Sequence, residues 1–452
     1  MTLLDRDALA RALAEADPTP LTGTVVRAAG LLVEALLPQV PVGTACEIHA
    51  QDGAVVLAEV IGFQGGTARL MPLSGIQGVA EGCAVVPRAS ADRIAVGEAL
   101  LGRVVDASLR PVDGGAVPML RQRTALHASP PPALSRRRVE RAVPLGIRAI
   151  DACLTVGEGQ RIAVMAGPGV GKSVLLGMLA RSATADVVVV GLIGERGREV
   201  REFVERDLGP GLARAVVVVA TSDASPLERL RAAMAATAAA EWFRGRGRRV
   251  LLLVDSLSRV AQAQREIGLA AGEPPTTRGY PPSAFAILPR LVERAGNDAG
   301  PGSITAFYTV LAEGDDHAGD PIADAARATL DGHLVLSRRL AESGHFPAID
   351  VLASVSRVMN DIVPAEHRAL AREAREVLSA HREAADLVEV GAYAAGSNPR
   401  VDRALRCIEP LRAFLRQDPA ERTPMPEALE RLARLLAPPA AAPPARKEAA
   451  HG

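Results

Sequence analysis

The run RIAVMAGPGVGKSVLLGMLA, from Arg161 to Ala180, decides how the chain is read. An apolar, strand-like stretch enters a glycine-rich turn, and Lys172-Ser173 then open a segment of helical apolar period. That order of strand, loop and helix is the context a phosphate loop requires. Gly167, Gly169 and Gly171 let the backbone curl so that successive N–H groups face phosphate oxygens, and the amino end of the helix adds positive potential. The expected nucleotide-binding set is therefore Gly167, Pro168, Gly169, Val170 and Gly171, with Lys172, Ser173 and Val174. Lys172 is placed to reach the β- and γ-phosphates, and the Ser173 hydroxyl suits Mg²⁺, a hard cation that takes oxygen ligands. Two departures stand in the loop: the strict pattern begins with Gly where this chain has Ala166, and Pro168 removes one amide donor.

Downstream, VLLLVDSLSR (Val250–Arg259) is a buried-strand pattern ending in a carboxylate, which suits Asp255 to hold Mg²⁺, usually through water. Taken alone, Asp255 could merely cap a strand end. VVVVGLIGERGREVREF (Val187–Phe203) puts Glu195-Arg196 just past another apolar strand, where an open α/β sheet presents residues to its ligand crevice. Water attacking a γ-phosphate needs a carboxylate to orient it and take its proton, which makes Glu195 the candidate general base. On pattern alone, an exposed Glu-Arg ion pair is the commoner reading.

Around these motifs the chain changes period. From Leu21 to about Pro87, short apolar runs alternate with turn signals at Asp52-Gly53 and Gly65-Gly66, predicting a small all-β module, a barrel. A connecting region from Ala91 to Leu145 carries Pro130–Pro132 and the basic run Arg136–Arg138, and reads as a solvated linker rather than a binding patch. Strand-like runs at Arg161–Met165, Val187–Gly191, Val216–Ala220, Val250–Val254 and Ile304–Val310 then alternate with helical patterns, which argues for a parallel sheet covered on both faces. Beyond Asn360 the period is helical, broken at Gly396-Ser397-Asn398-Pro399. The division expected is a helix over 1–20, a β-barrel over 21–90, an ATPase domain over 91–360, a helical domain over 361–436 and a disordered tail over 437–452.

The 452 residues balance 52 Lys and Arg against 52 Asp and Glu, so no sequence-wide attraction to nucleic acid or an anionic membrane is expected. Cys46, Cys83, Cys153 and Cys407 lie far apart without metal-ligand spacing, as free thiols in a reducing compartment would. MTLLDRDALARALAEAD has no secretory pattern and no apolar stretch is long enough to span a bilayer, so a soluble, cytoplasmic protein is expected.

AGPGVGKS, GLIGERGREVREF, LLVDSLSR, AQREIGLAAGEPPTTRGYPPS, EGDD, LDGHLVLSRRLAESGHFPAID and SVSRVMN together resemble the ATPases of type III protein export, flagellar and virulence-associated, which are relatives of the catalytic subunit of rotary ATPases. The likeness covers roughly residues 20–420. It implies an α/β fold: a RecA-like P-loop ATPase domain, preceded by the β-barrel and followed by the helical domain, assembled as a homohexamer with nucleotide between subunits. It also implies that Glu195 activates water and that Arg196 and Arg259 lie near the γ-phosphate. Arg357, in SVSR, matches an arginine finger given by the neighbouring subunit; without the resemblance it is an arginine with a surface or salt-bridge role. Phe346 resembles the ring that stacks on adenine, where relatives usually carry Tyr; a plain core aromatic is the alternative. Tyr280, Pro281 and Pro282 fall where relatives face the ring centre. The implied partners are a negative regulator at the amino-terminal helix, a central stalk, export chaperones and substrates, and a membrane export gate. DASLRPVDG (Asp106–Gly114) departs from the family, which usually has glycines in place of Ala107 and Leu109.

Three other functions compete with an export motor. A catalytic subunit of a rotary ATP synthase shares the same catalytic residues. A nucleic-acid translocase is disfavoured because residues 21–87 lack a basic strip with interleaved aromatics. A noncatalytic nucleotide-binding scaffold is disfavoured because Lys172, Ser173, Glu195, Asp255 and Arg357 are all present.

Overall fold

The structure is a computed structural model that describes residues 22–37, 39–88, 93–311 and 319–437. The helix expected over 1–20, the EGDD stretch and the tail beyond Ala437 lie outside the described residues.

Six strands close a barrel in the order β1-β2-β5-β4-β3-β6: β1 (Gly23–Ala29), β2 (Leu32–Leu36), β3 (Ala45–His49), β4 (Val55–Gln64), β5 (Thr67–Pro72) and β6 (Ala84–Arg88). Alternate residues point inward, so that Val33, Ile48, Val60, Leu70 and Val85 fill the interior. Closure leaves no free edge to pair with another chain. Gly65 and Gly66 turn β4 into β5 with φ of 58° and 85°, the left-handed pair a tight two-residue hairpin demands.

The region between barrel and phosphate loop differs from a solvated linker. Here β7 (Arg93–Val96) pairs antiparallel with β9 (Gln122–Ala125), while β8 (Arg103–Val105) joins the edge of the large sheet. Ile94, Val96, Leu100, Val105 and Leu126 are buried in its core. Even the basic run is fastened down: Arg136 pairs with Glu293 at 2.5 Å, and Arg137 donates to the carbonyls of Pro301 and Gly302 at 3.0 Å. A charge count cannot show acceptors supplied from some 160 residues away, which is why the run read as solvated. The Asp106–Gly114 departure is absorbed by Leu109, which takes φ 58° in place of glycine while its side chain is 2% exposed. The Asp106 carboxylate accepts from the N–H groups of Ser108 and Arg110 and holds the turn.

The large sheet adds β10 (Arg161–Ala166), β11 (Val187–Glu195), β12 (Ala215–Thr221), β13 (Arg249–Asp255), β14 (Gly296–Asn297), β15 (Ser303–Leu311), β16 (Gly332–Leu336) and β17 (Val355–Ser356). Its order is β17-β16-β10-β15-β13-β11-β12-β8, with β14 paired to β15. From β16 to β8 every pairing is parallel; β14 and β17 are antiparallel additions. Each of the five strand-like runs in this part of the sequence is one of these parallel strands. Both faces are covered: β11 sends Val187, Val189 and Ile193 into one core and Val188, Val190 and Leu192 into the other.

Helices Ala365–Glu389, Pro399–Leu415 and Met425–Leu436 form the carboxy-terminal part and share the second core with the helix after the phosphate loop. Asn398 caps the helix that Pro399 opens, accepting from the N–H of Arg400. All four cysteines are buried and free. Among the described residues no helix is long and apolar enough to cross a membrane, and no cluster of His, Cys, Asp and Glu could hold a metal.

Candidate active site

Parallel strands end on the same side of a sheet, so residues that follow their carboxyl ends are gathered into one crevice. Here β10 leads into the phosphate loop, β11 ends at Glu195 and β13 ends at Asp255. Gly169 and Gly171 take φ of 76° and 87°, and Gly171 is the last residue before the helix Lys172–Ser182. A Cβ on Gly171 would lie 3.2 Å from the Phe346 ring, so the glycine is needed for that close approach as well as for the turn. Ser173 is exposed at the helix amino end, whereas the Val170 side chain is buried in the core beneath the loop and leaves only its backbone toward a ligand.

Lys172 joins the three strand ends. Its Nζ donates to Asp255 Oδ1 at 2.7 Å and to Glu195 Oε1 at 3.1 Å. Asp255, 3% exposed, also accepts from Thr309 Oγ1 at 2.6 Å. Burial works against the Lys172 charge, but the carboxylates of Asp255 and Glu195 outweigh it and hold its pKa above the ordinary value. Burial pushes Glu195 above the usual carboxylate range; Lys172 opposes the shift, and a hydrogen bond with Glu199 adds to it. A carboxylate so raised is a stronger proton acceptor than a free one.

The loop opens on a cavity of about 1090 Å³ into which Arg196, Arg259, Arg265 and Arg278 also project. Arg196 is largely exposed, 3.6 Å from Glu199. Arg259 donates to Gln262 Oε1 at 3.0 Å, and its buried Nε has no hydrogen-bond partner among the described residues, a guanidinium with capacity to spare for an anion. The Ser173 hydroxyl and the Asp255 carboxylate are the oxygen donors that Mg²⁺ prefers, so the donor set fits the cation.

Three stretches of the chain match known families: residues 25–88 the β-barrel domain of the ATP synthase alpha/beta family, 146–356 its nucleotide-binding domain, and 363–434 the T3SS EscN ATPase C-terminal domain. The flagellum-specific ATP synthase of Salmonella typhimurium is 53% identical over 91% of this chain and 92% of its own length. The chain belongs to the family of flagellum-specific and type III secretion ATPases. The type 3 secretion system ATPase of Sinorhizobium fredii is 50% identical over 93% of each chain. The assembled ATPase EscN of the enteropathogenic E. coli type III secretion system superposes with a TM-score of 0.87 at 42% identity, covering 92% of this chain and all of that one. EscN in complex with its central stalk EscO gives 0.85 at 41% identity over the same share of the two chains.

This ATPase gathers Lys172, Ser173, Glu195, Arg196 and Arg259 on one cavity, with Asp255 beneath it. Phe346, 37% exposed, packs on Gly171 and is not fully buried in the core. Arg357 stays apart: it is exposed just after β17, donates to the carbonyl of Arg327 at 2.9 Å and does not line the cavity. Tyr280 also lines the cavity, with the Arg265 guanidinium 5.2 Å from its ring centre. The sequence reading missed Thr309, Glu199, Arg265 and Arg278. Glu199 stands four residues after Glu195 at the start of a helix, and Thr309 is a polar residue in the apolar run SITAFYTVL, both visible signals in retrospect.

Proposed function

We propose that this ATPase is the motor of a type III protein export apparatus, working as a homohexamer in the cytoplasm at the inner-membrane export gate. The observation that carries the proposal is the combination of a complete hydrolytic set with a carboxy-terminal domain of the T3SS type over residues 363–434. That domain disfavours a rotary synthase subunit, and the complex of EscN with its central stalk EscO supports a stalk partner here.

In this reading the phosphate loop takes the β- and γ-phosphates of ATP, and Lys172 leaves Asp255 and Glu195 to follow them. That exchange frees Glu195 to orient water and accept its proton, so the base is released only when nucleotide is bound. Ser173 and Asp255 would hold Mg²⁺, which neutralises phosphate charge. Arg196 and Arg259, which line the cavity, would meet the γ-phosphate, and Phe346 would offer its ring to the adenine. Arg357, exposed and outside its own cavity, serves the neighbouring subunit's site as a finger, a contribution worth about 10³–10⁵ in rate. Hydrolysis then depends on assembly, and the work is delivered to chaperone release and substrate unfolding.

The test is ATPase rate against protein concentration, with size followed by light scattering on the same samples. The rate per subunit should climb with hexamer formation and collapse in R357A, and mixing R357A with K172A should restore part of it. A rate independent of concentration with Arg357 dispensable would refute the assembled ring.

A further inference from the structure

The carboxy-terminal part reaches the nucleotide loop through the turn that follows Leu415, and one buried side chain organises that turn. Gln417 follows the helix Pro399–Leu415 and is 2% exposed. Its amide Nε2 donates to the carbonyls of Gly146 at 2.8 Å and Glu421 at 2.9 Å, and its Oε1 accepts from the N–H of Arg148 at 2.9 Å. Both donor hydrogens are thus used, and the side chain ties the turn to the segment that opens the ATPase domain. The backbone N–H of Gln417 then donates to the carbonyl oxygen of Phe346 at 2.8 Å.

Phe346 is the residue whose ring packs on Gly171, the last residue of the phosphate loop before its helix. The height of that ring over the loop is therefore set from the carboxy-terminal turn. Two neighbours brace the same turn: Arg148 donates to the carbonyls of Phe414 and Arg416 and to Thr423, and Arg181, in the last turn of the phosphate-loop helix, donates to the carbonyl of Pro419 at 2.8 Å. Gly146 admits this arrangement because a Cβ there would meet Arg422 at 2.8 Å.

We infer that Gln417 is a positioning residue for the base of the bound nucleotide: it anchors the turn whose N–H holds Phe346, and so makes affinity for the adenine end a property of the carboxy-terminal part. The inference rests on the reading of Phe346 as the stacking ring. It separates the two ends of the ligand. The phosphates meet the loop, Lys172 and the cavity arginines, none of which Gln417 touches, so loss of the Gln417 side chain should weaken what binds through a base and leave a base-free polyphosphate alone.

Q417M fills similar volume without hydrogen-bonding groups. ATP and inorganic tripolyphosphate are titrated calorimetrically into the full-length chain as wild type, Q417M, F346A and the double variant, with assembly matched by light scattering and kcat measured on the same samples. ATP affinity should fall about two- to tenfold in Q417M, the range that loss of an aromatic stacking contact gives. Tripolyphosphate binding and kcat at saturating ATP should stay unchanged, and the double variant should be no weaker than F346A. Wild-type ATP affinity in Q417M, with F346A weakened, would overturn the role of Gln417. Parallel loss of tripolyphosphate binding would also overturn it, because the side chain would then be a prop for the whole site. Wild-type ATP affinity in F346A would instead bring down the stacking reading of Phe346. Should Q417M fail to fold, Q417E keeps the acceptor for the Arg148 N–H while losing the donor to Gly146, and is read by the same outcomes.

Discussion

Lys172 Nζ lies 2.7 Å from Asp255 Oδ1, so that the loop's cation rests on a carboxylate buried at the end of β13. The pair is shielded from solvent on both sides, so that removing one partner leaves a buried charge uncompensated.

K172M should abolish measurable ATP binding and also destabilise the fold by about 3–5 kcal/mol near neutral pH. The cost should depend on pH in a definite direction. Burial raises the folded-state pKa of Asp255 against the pull of Lys172; removing Lys172 raises it further, so the folded variant binds the proton more readily than wild type and loses more stability as pH rises through that raised pKa. Thermal melts should show the gap between wild type and K172M widening as pH rises above the ordinary carboxylate range. A gap that stays constant as pH rises would mean that Asp255 does not feel the loss.

Glu195 should be separable from binding. E195Q keeps the shape of the side chain, so nucleotide affinity should hold near wild type while kcat falls about 10²–10⁴-fold, the usual worth of a positioned proton acceptor. Turnover at the wild-type rate would remove Glu195 from the mechanism.

The acid limb of kcat/KM reports the free enzyme's base, which must be deprotonated to act. Because burial and Glu199 raise the pKa of Glu195, that limb should lie above the ordinary carboxylate value of 4.5. E199Q removes a neighbouring negative charge, and the limb should move to lower pH. A limb that stays in place would show that the two carboxyl groups do not interact.

Arg148, 3% exposed, meets Glu421, Thr423 and the carbonyls of Phe414 and Arg416 in one grip between the ATPase domain and the carboxy-terminal turn. R148M should cost about 2–4 kcal/mol in chemical denaturation, because the buried acceptors at Phe414 and Thr423 lose their donor at once. A loss under about 1 kcal/mol, the scale of an exposed pair, would mean that the carboxy-terminal helices are held by their apolar faces alone.

Leu109 combines a left-handed backbone with a buried side chain. L109A should destabilise by about 2–4 kcal/mol, since it loses the packing and keeps the strain. L109G should lose about 1 kcal/mol less than L109A, since glycine is at ease at positive φ. Melts that rank Gly below Ala would contradict the conformational account.

Much of the site was legible because its parts are local. The phosphate loop is one strand, one turn and one helix start in succession, so Gly167 to Ser173 declared themselves, and Glu195 and Asp255 could be suspected because each closes an apolar run. Residues that matter through packing gave no such sign. The basic run at Arg136–Arg138 read as solvated because its acceptors, Glu293, Pro301 and Gly302, are remote in sequence. Gln417 and Arg148 carry no local signal for the same reason: each is an ordinary polar residue until the turn folds back on it.

By itself the sequence determined the periods of strand and helix, the chemistry of the phosphate loop and, through its motifs, the family. Only the tertiary structure decided which of these parts meet. The order β10-β15-β13-β11 sets Lys172 against carboxylates 23 and 83 positions away; it leaves Arg357 facing outward and brings the carboxy-terminal turn to Phe346. Periodicity fixes an element because it acts between neighbours along the chain. Sheet order and docking are fixed by burying apolar faces that any one element leaves exposed, and that choice is made only when the whole chain packs.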